Sequence, residues 1–372
     1  MILAMLRFWE ELGGRIAVLS ATLPDAFIEL LDDSLHEPCH SVTVDEAWPQ
    51  RHRLVIQPTL LTDPSTIAIL ETELRTGQAV LVVANNVADA HMLYNTLAPL
   101  ATRLYGPEAV WLLHSRFRRK DRRVIEDAIR ARFGTHQPRH SGLLVATQAV
   151  EVSLDVDFDV LHTSGAPLDA LLQRFGRVNR LAARPPAPVV VHAPVYRRRR
   201  DGGRTAYADG IYEPEPTQLA LDLLTCHDGH VIDERKVGSW LNDIYNSAWG
   251  VQWRQSVEYF RDDFHATFLD FTFPFDDRSH LAERFDELFD GTDVLLSDDR
   301  ERYADALLAG PGRVGRLLAE ELLIPLPHRI VKHCRWDPTL QVPIVNADYS
   351  PRCGLGTPRG AAAIHYEPGE VL

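Results

Sequence analysis

Three arginines, Arg174, Arg177 and Arg180, stand three residues apart near the middle of the chain. We predict a helix over residues 168–179, and side chains three residues apart on a helix lie along one side of it. Three permanent positive charges with no carboxylate between them would bind phosphate, because a planar guanidinium donates paired hydrogen bonds to phosphate oxygens. Gly176 within this helix costs about 1 kcal/mol relative to alanine, so we expect another backbone or a ligand close to it. From spacing alone, a surface helix with scattered arginines remains the alternative.

Hydroxyl side chains follow two predicted strands at the point where each strand ends. Ser115 and Arg116 follow one apolar run, and Thr147 follows another. The carboxyl ends of parallel strands line the crevice where such sheets bind ligands, and hydroxyls there could hold the phosphates of a single nucleic-acid strand without reading its sequence. Helix capping or a turn hydrogen bond is the alternative role for both hydroxyls.

Alternating strands and helices must position these residues. The pattern predicts helices over 66–76, 87–100, 120–133 and 168–179, and strands over 79–84, 110–113, 142–146, 160–164 and 189–192. Such alternation predicts an α/β fold with a parallel sheet covered by helices on both faces. Residues 15–20 are also apolar enough for a buried parallel strand, whereas residues 42–59, broken by Pro49 and Pro58, should cross between domains.

Several motifs resemble those of superfamily 2 helicases, in which two RecA-like domains clamp ATP between them. VATQAVEVSLDVDFD at residues 145–159 and QRFGRVNR at 173–180 resemble motifs V and VI. LSATLP at 19–24 resembles motif III, and VLVVANNV at 80–87 with LHSRF at 113–117 resembles motifs IV and IVa. These forms, with YSPRCGL at 349–355, are most similar to the CRISPR-associated type I helicase-nuclease family. The resemblance implies that the sheet is the second RecA-like motor domain.

The resemblance also implies roles for individual residues. Arg177 and Arg180 would be arginine fingers that reach the γ-phosphate of ATP, with Gln173 orienting the phosphate or the attacking water. Asp155 would contact the nucleotide or an arginine finger, and Arg174, beside Gly176, would contact the nucleotide or instead tie its helix to motif V. The expected DNA-backbone contacts are Ser115, Arg116, Thr147 and Gln148. Ser20, Ala21 and Thr22 would couple nucleotide state to DNA grip.

The chain lacks one part that a RecA-type motor requires. No GxxxxGK[ST] phosphate loop occurs, since none of the three lysines follows a glycine. Asp45-Glu46-Ala47-Trp48 imitates an acidic box but lies after motif III, where the family has an interdomain connection. The resemblance places the true box and the nuclease before Met1. We therefore expect a C-terminal part that is inactive alone, with ATP and Mg²⁺ bound mainly by the missing first motor domain, whether upstream sequence or a separate chain.

Charge and composition limit the partners. The net charge is −13, but residues 101–200 alone carry +9, which predicts a local basic surface for a phosphate backbone. No run of 18 apolar residues occurs, so we expect a soluble, cytoplasmic protein that does not enter a membrane. The four cysteines show no CxxC spacing, and His227-Asp228 is more typical of a loop pair than of a metal site. The resemblance implies single-stranded DNA and a CRISPR surveillance complex as partners.

The predicted organisation has four segments. Residues 1–45 would be the remnant of the first motor domain, 46–204 the second motor domain, 205–264 linker helices and 265–372 an accessory domain. Two alternative functions remain open. One is part of another superfamily 2 DNA or RNA helicase, and the other is a non-catalytic protein that only binds nucleic acid or a partner, indifferent to ATP.

Overall fold

The computed structural model describes residues 1–20, 22–42, 49–152, 154–198, 205–269, 291–310, 313–327, 331 and 334–358. The α-helices of this part of the chain are α1 Ile2–Glu11, α2 Asp25–Asp32, α3 Pro64–Arg75, α4 Val87–Tyr105, α5 Arg119–Phe133, α6 Leu168–Phe175, α7 Pro214–Thr225, α8 Val237–Tyr245, α9 Ala248–Phe264, α10 Arg300–Leu308 and α11 Val314–Glu320.

The strands are β1 His52–Leu60, β2 Ala79–Val83, β3 Val110–Leu113, β4 Gly142–Ala146, β5 Val160–Ser164, β6 Ala187–Ala193, β7 Tyr196–Arg198, β8 Ala206–Ala208, β9 Thr292–Leu296, β10 Ile324–Leu326, β11 Arg335–Asp337, β12 Val342–Val345, β13 Ala347–Ser350 and β14 Gly354–Pro358. The largest sheet is six-stranded and parallel throughout, in the order β1-β6-β5-β2-β4-β3.

Helices cover both faces of the six-stranded sheet. Val80 and Val82 of β2 join one hydrophobic cluster with residues of α3 and α4. Leu81 between them is also fully buried, although successive side chains of a strand point to opposite faces. A strand buried on both faces is an uninterrupted apolar run, as the sequence of β2 is. The predicted α/β class, with a parallel sheet between helical layers, is confirmed.

Strand β1 was missed. Residues 42–59 were expected to cross between domains because Pro58 interrupts the pattern, but His52–Leu60 pairs in parallel with β6. The register shifts between Gln57 and Leu60, around the proline. Since β1 lies at the edge of the sheet, the missing N–H of Pro58 removes no necessary ladder bond. The interpretation of Pro58 as a strand breaker was therefore wrong.

The chain divides into two compact units. One comprises Met1–Gln50 with Asp233–Leu288, and the other comprises Arg51–Ile232 with Phe289–Leu372. This division differs from the four predicted segments, because the residues after 288 belong with the six-stranded sheet. Within that second unit, β9 to β12 form a four-stranded sheet in the order β10-β9-β12-β11. A hairpin of β13 and β14 follows it.

The first unit is helical in the residues that the structure describes. Leu3 of α1 and Leu30 and Leu31 of α2 form an apolar cluster against Trp253 and Val257 of α9. The strand predicted over residues 15–20 is wrong: this stretch has no regular secondary structure, and Leu19 is 95% exposed. A parallel strand needs a neighbour to satisfy its backbone, and the described part of this unit contains no strand.

Candidate functional site

The carboxyl ends of β2, β4 and β5 meet at the centre of the sheet. From β2 the chain crosses first to the β3–β4 side and later to β5 on the other side, so β2 marks a topological switch point. Open α/β sheets bind ligands in the crevice at such a point. Here Asn85 follows β2, Thr147 follows β4 and Gly165 follows β5.

Arg174 fills this crevice from the last turn of α6. It is fully buried. Its Nε donates to Glu151 Oε1 at 2.8 Å, and its Nη1 donates to Asn85 Oδ1 at 3.0 Å and to Thr163 Oγ1 at 2.7 Å. Its Nη2 donates to the Tyr212 hydroxyl at 3.1 Å. The guanidinium is thus used within its own chain, so Arg174 ties α6 to motif V, the second of its two expected roles.

Asn85 and Asp209 complete the network. The Asn85 Nδ2 donates to Gly165 O at 2.8 Å and to Asp209 Oδ2 at 2.9 Å, while Asp209 Oδ1 accepts from Val195 N at 2.8 Å. Burial raises the pKa of Asp209 to about 6. Burial likewise raises the pKa of Glu151, which the Arg174 charge partly offsets. The side chains of this chain therefore occupy the crevice, which holds the sheet ends together rather than offering a phosphate cradle.

The three arginines do not share one helical face. Helix α6 ends at Phe175, and Asn179 adopts the left-handed conformation with φ +45°, so the chain turns before Arg180. Gly176 is the C-cap of α6, and a Cβ there would meet its nearest atoms at ordinary distances of 3.5 and 3.6 Å. The predictions of a helix to residue 179 and of one arginine surface were wrong, and no other backbone of the described chain approaches Gly176 closely. The glycine ends the helix instead.

Arg177 lies inside this turn. Only 7% of it is exposed, and its Nη1 donates to Leu154 O at 2.7 Å while its Nη2 donates to Glu151 O. Burial and then the neighbouring Arg180 charge lower the pKa of Arg177. The side chain holds the motif V loop by its carbonyls, and it would have to change rotamer to reach a ligand.

Arg180, in contrast, lies on the rim. Its side chain is 38% exposed, and its Nε lies 3.1 Å from Asp155 Oδ1, which also accepts from Thr135 Oγ1 at 2.5 Å. The structure thus brings Asp155 to an arginine, one of its two expected contacts. Gln173 is exposed at the end of α6. We call these three residues of motifs V and VI the rim, because Arg180, Asp155 and Gln173 are all at least partly exposed.

The predicted DNA-contact residues lie at one edge of the sheet. Leu113 and Ala146 are register partners, and Thr147 N donates to Leu113 O at 3.0 Å, so Ser115 and Thr147 follow adjacent strand ends. Ser115 is exposed, whereas Thr147 is 4% and Arg116 9% exposed.

Gln148 points its Nε2 to Asn85 O at 2.7 Å. It therefore belongs to the crevice network, and of the four expected contacts Ser115 is the one on the surface.

The coupling residues of motif III lie in the other unit. Ser20 Oγ donates to Thr22 O at 2.7 Å, which forms a local turn. Ala21 lies outside the described residues, as do Asp45, Glu46, Ala47 and Trp48. Their coupling role remains a prediction.

Much of the basic segment is paired with carboxylates. Arg119 Nη2 lies 2.5 Å from Asp293 Oδ2, and Arg123 Nη2 lies 2.6 Å from Glu321 Oε1. The paired acids lie in the negatively charged C-terminal part of the sequence. The basic surface expected over residues 101–200 is therefore partly neutralised at these arginines, because opposite charges that are distant in the sequence meet in the fold.

Sequence reasoning missed Asp209 and Tyr212 as members of the crevice network. Both lie beyond the helicase motifs, in the turn after β8, where Asp209 has φ +47° and precedes Gly210 with φ +67°. Asp-Gly is a turn signal, and it was available in the sequence. That the turn packs into the crevice depends on tertiary structure, which no local pattern gives.

Neither a metal centre nor a membrane helix is found in the part of the chain that the structure describes. No group of three histidine, cysteine, aspartate or glutamate side chains there could hold a metal ion. The Asp228 carboxylate accepts from Ile56 N at 2.8 Å, a structural loop contact. None of the described helices is long and apolar enough to cross a membrane.

Comparison with known proteins shows which proteins this chain is similar to. Residues 76–183 match the family model described as "CRISPR-associated nuclease/helicase Cas3, C-terminal". The "CRISPR-associated endonuclease/helicase Cas3" of Escherichia coli (strain K12) is 33% identical over 205 residues, which are 48% of this chain and 23% of that protein. The chain thus spans less than a quarter of the length of this relative.

Two solved structures share the fold. "Crystal structure of T. fusca Cas3-ADP" superposes with a TM-score of 0.66 at 17% identity, over 95% of this chain and 52% of that one. "CRISPR RNA-guided surveillance complex, pre-nicking" contains a chain that superposes with a TM-score of 0.56 at 20% identity, over 89% of this chain and 44% of that one. Residues 76–183 are therefore similar to the C-terminal part of CRISPR-associated nuclease/helicase Cas3 proteins, and the chain shares the fold of the two solved structures.

Proposed function

We propose that the chain provides the second RecA-like half of an ATP-dependent translocase that moves along single-stranded DNA in CRISPR-based defence. The observation that carries this proposal is the contrast between Arg174, which is fully buried, and Arg180, which lies 38% exposed beside Asp155 on the rim. An arginine finger must reach a phosphate held by another domain, and the exposed guanidinium of Arg180 meets that condition.

ATP is the substrate in this proposal, but the described residues do not form its cradle. The sequence has no GxxxxGK[ST] motif, and the switch-point crevice is filled by Arg174, Asn85 and Tyr212. The described carboxylates do not fit Mg²⁺ either, since no cluster of ligands is found among them. The triphosphate and Mg²⁺ would therefore be held by a P-loop domain, and the chain alone would not hydrolyse ATP.

The rim residues would contact a nucleotide that the P-loop domain holds. A guanidinium that neutralises the charge developing on the γ-phosphate accelerates phosphoryl transfer by on the order of 10³ to 10⁵. Asp155 would hold Arg180 in place, and Gln173 would orient the phosphate or the attacking water. Arg177 would serve as the second finger only after release from Leu154 O and Glu151 O.

DNA would lie across the ends of β3 and β4. Hydroxyls at adjacent strand ends, Ser115 on the surface and Thr147 behind it, suit a chain of phosphates and carry no base specificity. Similarity to a chain in a solved surveillance complex supports a CRISPR surveillance complex as the partner that delivers this DNA.

The first test uses the purified chain with a fluorescent oligothymidylate. We expect binding that weakens with salt and that Ser115→Ala weakens several-fold, whereas Arg103→Ala, an exposed arginine on α4, leaves affinity unchanged. We expect no ATP hydrolysis above the protein-free rate. Hydrolysis by the pure chain that Arg180→Ala abolishes would overturn the proposed division of labour. Binding that persists with no ATPase in any native complex would favour the non-catalytic alternative.

A further inference from the structure

The loop between β3 and α5, residues 114–118, is held by the C-terminal part of the chain. Leu355 N donates to Arg116 O at 2.9 Å, and His114 Nε2 lies 3.1 Å from Cys353 O. Gly354 between them has φ +75°, and a Cβ there would lie 2.5 Å from Arg116 O. The two backbones approach so closely that only glycine fits.

The hydrogen bonds of His114 determine which of its ring nitrogens carries the proton. Arg116 N donates to His114 Nδ1 at 3.0 Å, so Nδ1 carries no proton and Nε2 does. The Nε2–H can therefore donate to Cys353 O, and His91 Nε2 lies 3.1 Å from the same nitrogen. Burial lowers the pKa of His114 well below its ordinary value, which keeps this neutral tautomer in place.

The first turn of α5 is held in the same way. Arg119 N donates to Leu323 O at 3.1 Å, and Lys120 N donates to Glu321 O at 3.0 Å. The first N–H groups of a helix have no partner within the helix and could otherwise bind an anion. Carbonyls of the C-terminal part satisfy them here, so this helix end is a docking point rather than a phosphate site.

Tyr349 and Asp299 fix the side chain of Arg118 between them. The Arg118 guanidinium lies 4.0 Å from the centre of the Tyr349 ring, and its Nε lies 2.6 Å from Asp299 Oδ2. The Tyr349 hydroxyl accepts from Arg118 N at 3.1 Å and donates to Asp121 Oδ2 at 2.6 Å. Asp299 is fully buried, and a buried carboxylate of this kind requires its partner.

We infer that these residues form a clamp that positions the β3–α5 loop for the DNA backbone, with Tyr349 as the principal positioning residue. The clamp comprises Asp299, Glu321, Leu323, Tyr349, Cys353 and Leu355. The inference rests on the proposed function of Ser115, the exposed residue of the loop. Because the Arg118 side chain is bound within the clamp, the loop would contact phosphate through the side chain and backbone of Ser115.

The test compares Tyr349→Phe with a matched control. Tyr349→Phe keeps the ring against Arg118 but removes both hydroxyl bonds, while Tyr105→Phe removes a hydroxyl bond to Leu74 O elsewhere in the same unit. Hydrogen exchange of amides 116–120 is measured in the full chain, with the β2 amides as the check on folding. We expect Tyr349→Phe to speed exchange of the loop about tenfold or more, because both hydroxyl hydrogen bonds are lost.

Oligothymidylate binding separates the clamp from the proposed function. We expect Tyr349→Phe to weaken binding about threefold or more, and Tyr105→Phe to leave both readouts unchanged. Unchanged hydrogen exchange of the loop in Tyr349→Phe would overturn the clamp. If Ser115→Ala weakens DNA binding, then faster loop exchange with normal DNA binding in Tyr349→Phe would also overturn it. Normal binding by Ser115→Ala would instead overturn the proposed DNA contact and leave the exchange result to decide the clamp.

Discussion

The crevice and the rim of the six-stranded sheet use arginine in opposite ways. Arg174 in the crevice is fully buried and bound to Glu151, Asn85 and Tyr212. Arg180, six residues later on the rim, is 38% exposed and pairs with the Asp155 carboxylate. A guanidinium that is fully bound by its own chain stabilises the fold, whereas one that is open to solvent can bind a ligand. The difference lies in the end of α6, which turns the chain between the two.

Removal of the crevice arginine should have the largest effect on stability. Arg174→Ala would leave the half-buried Glu151 without the fully buried cation that it binds, and breaking a buried pair costs about 3–5 kcal/mol. Urea unfolding followed by circular dichroism measures this loss. Arg180→Ala is the matched control. A loss below about 1 kcal/mol for Arg174→Ala, the range of an exposed ion pair, would show that the crevice network is not structural.

Asn85→Ala should destabilise the same network by less. Its side chain bonds Gly165 O, Asp209 Oδ2 and Arg174 Nη1, and a buried group left without its partner costs about 1–3 kcal/mol. Asn95→Ala on the exposed side of α4 should stay close to wild type in the same unfolding series. Equal stability of the two variants would contradict the network.

Acid should lower the free energy of unfolding through the buried histidines. Burial lowers the pKa of His91 to about 4 and of His192 to about 3. Below pH 6.5 both histidines therefore stay neutral in the folded chain, while the unfolded chain binds a proton at each. Below the unfolded value of 6.5, the free energy of unfolding should fall by about 1.4 kcal/mol per pH unit for each histidine. Asp209 has the opposite effect on stability. Because its pKa is raised to about 6 in the folded chain, its protonation below pH 6 stabilises the fold by one proton and offsets part of the loss.

His192→Asn checks that slope. Removing one of these histidines should reduce the pH dependence between about pH 6.5 and 5 by about 1.4 kcal/mol per unit, measured by urea unfolding across that range. A slope equal to that of the wild type would contradict the assignment of His192 as buried and neutral.

The rim should matter least for stability. Arg180→Ala removes a partly exposed ion pair, and such pairs contribute about 0–1 kcal/mol. The melting temperature of this variant should therefore stay close to that of the wild type. A loss comparable with that of Arg174→Ala would erase the distinction between crevice and rim.

The sequence predicted the central sheet well, because its strands are uninterrupted apolar runs. The strands at 110–113, 142–146 and 160–164 match to the residue. The prediction failed where neighbours decide the outcome. Residues 15–20 have the composition of a strand but no strand beside them in the described part of their unit, and Pro58 is tolerated because β1 is an edge strand.

The site was predicted in its residues more than in its arrangement. The motifs identified Arg174, Arg177 and Arg180 as a group, but the positive φ of Asn179 and the end of α6 separate them. Charge counts predicted a basic surface, yet Asp293 and Glu321, distant in sequence, neutralise arginines of α5. Such long-range pairing follows from the fold and has no local signal.

The most direct test of the proposed division between crevice and rim is an ATPase assay of the native protein, captured from its source cells through a C-terminal tag together with any P-loop polypeptide that co-purifies. Arg180→Ala should lower the DNA-stimulated rate by on the order of 10³-fold or more while the protein remains folded. Arg103→Ala should keep the wild-type rate. An Arg180→Ala motor that hydrolyses ATP at the wild-type rate would contradict the account.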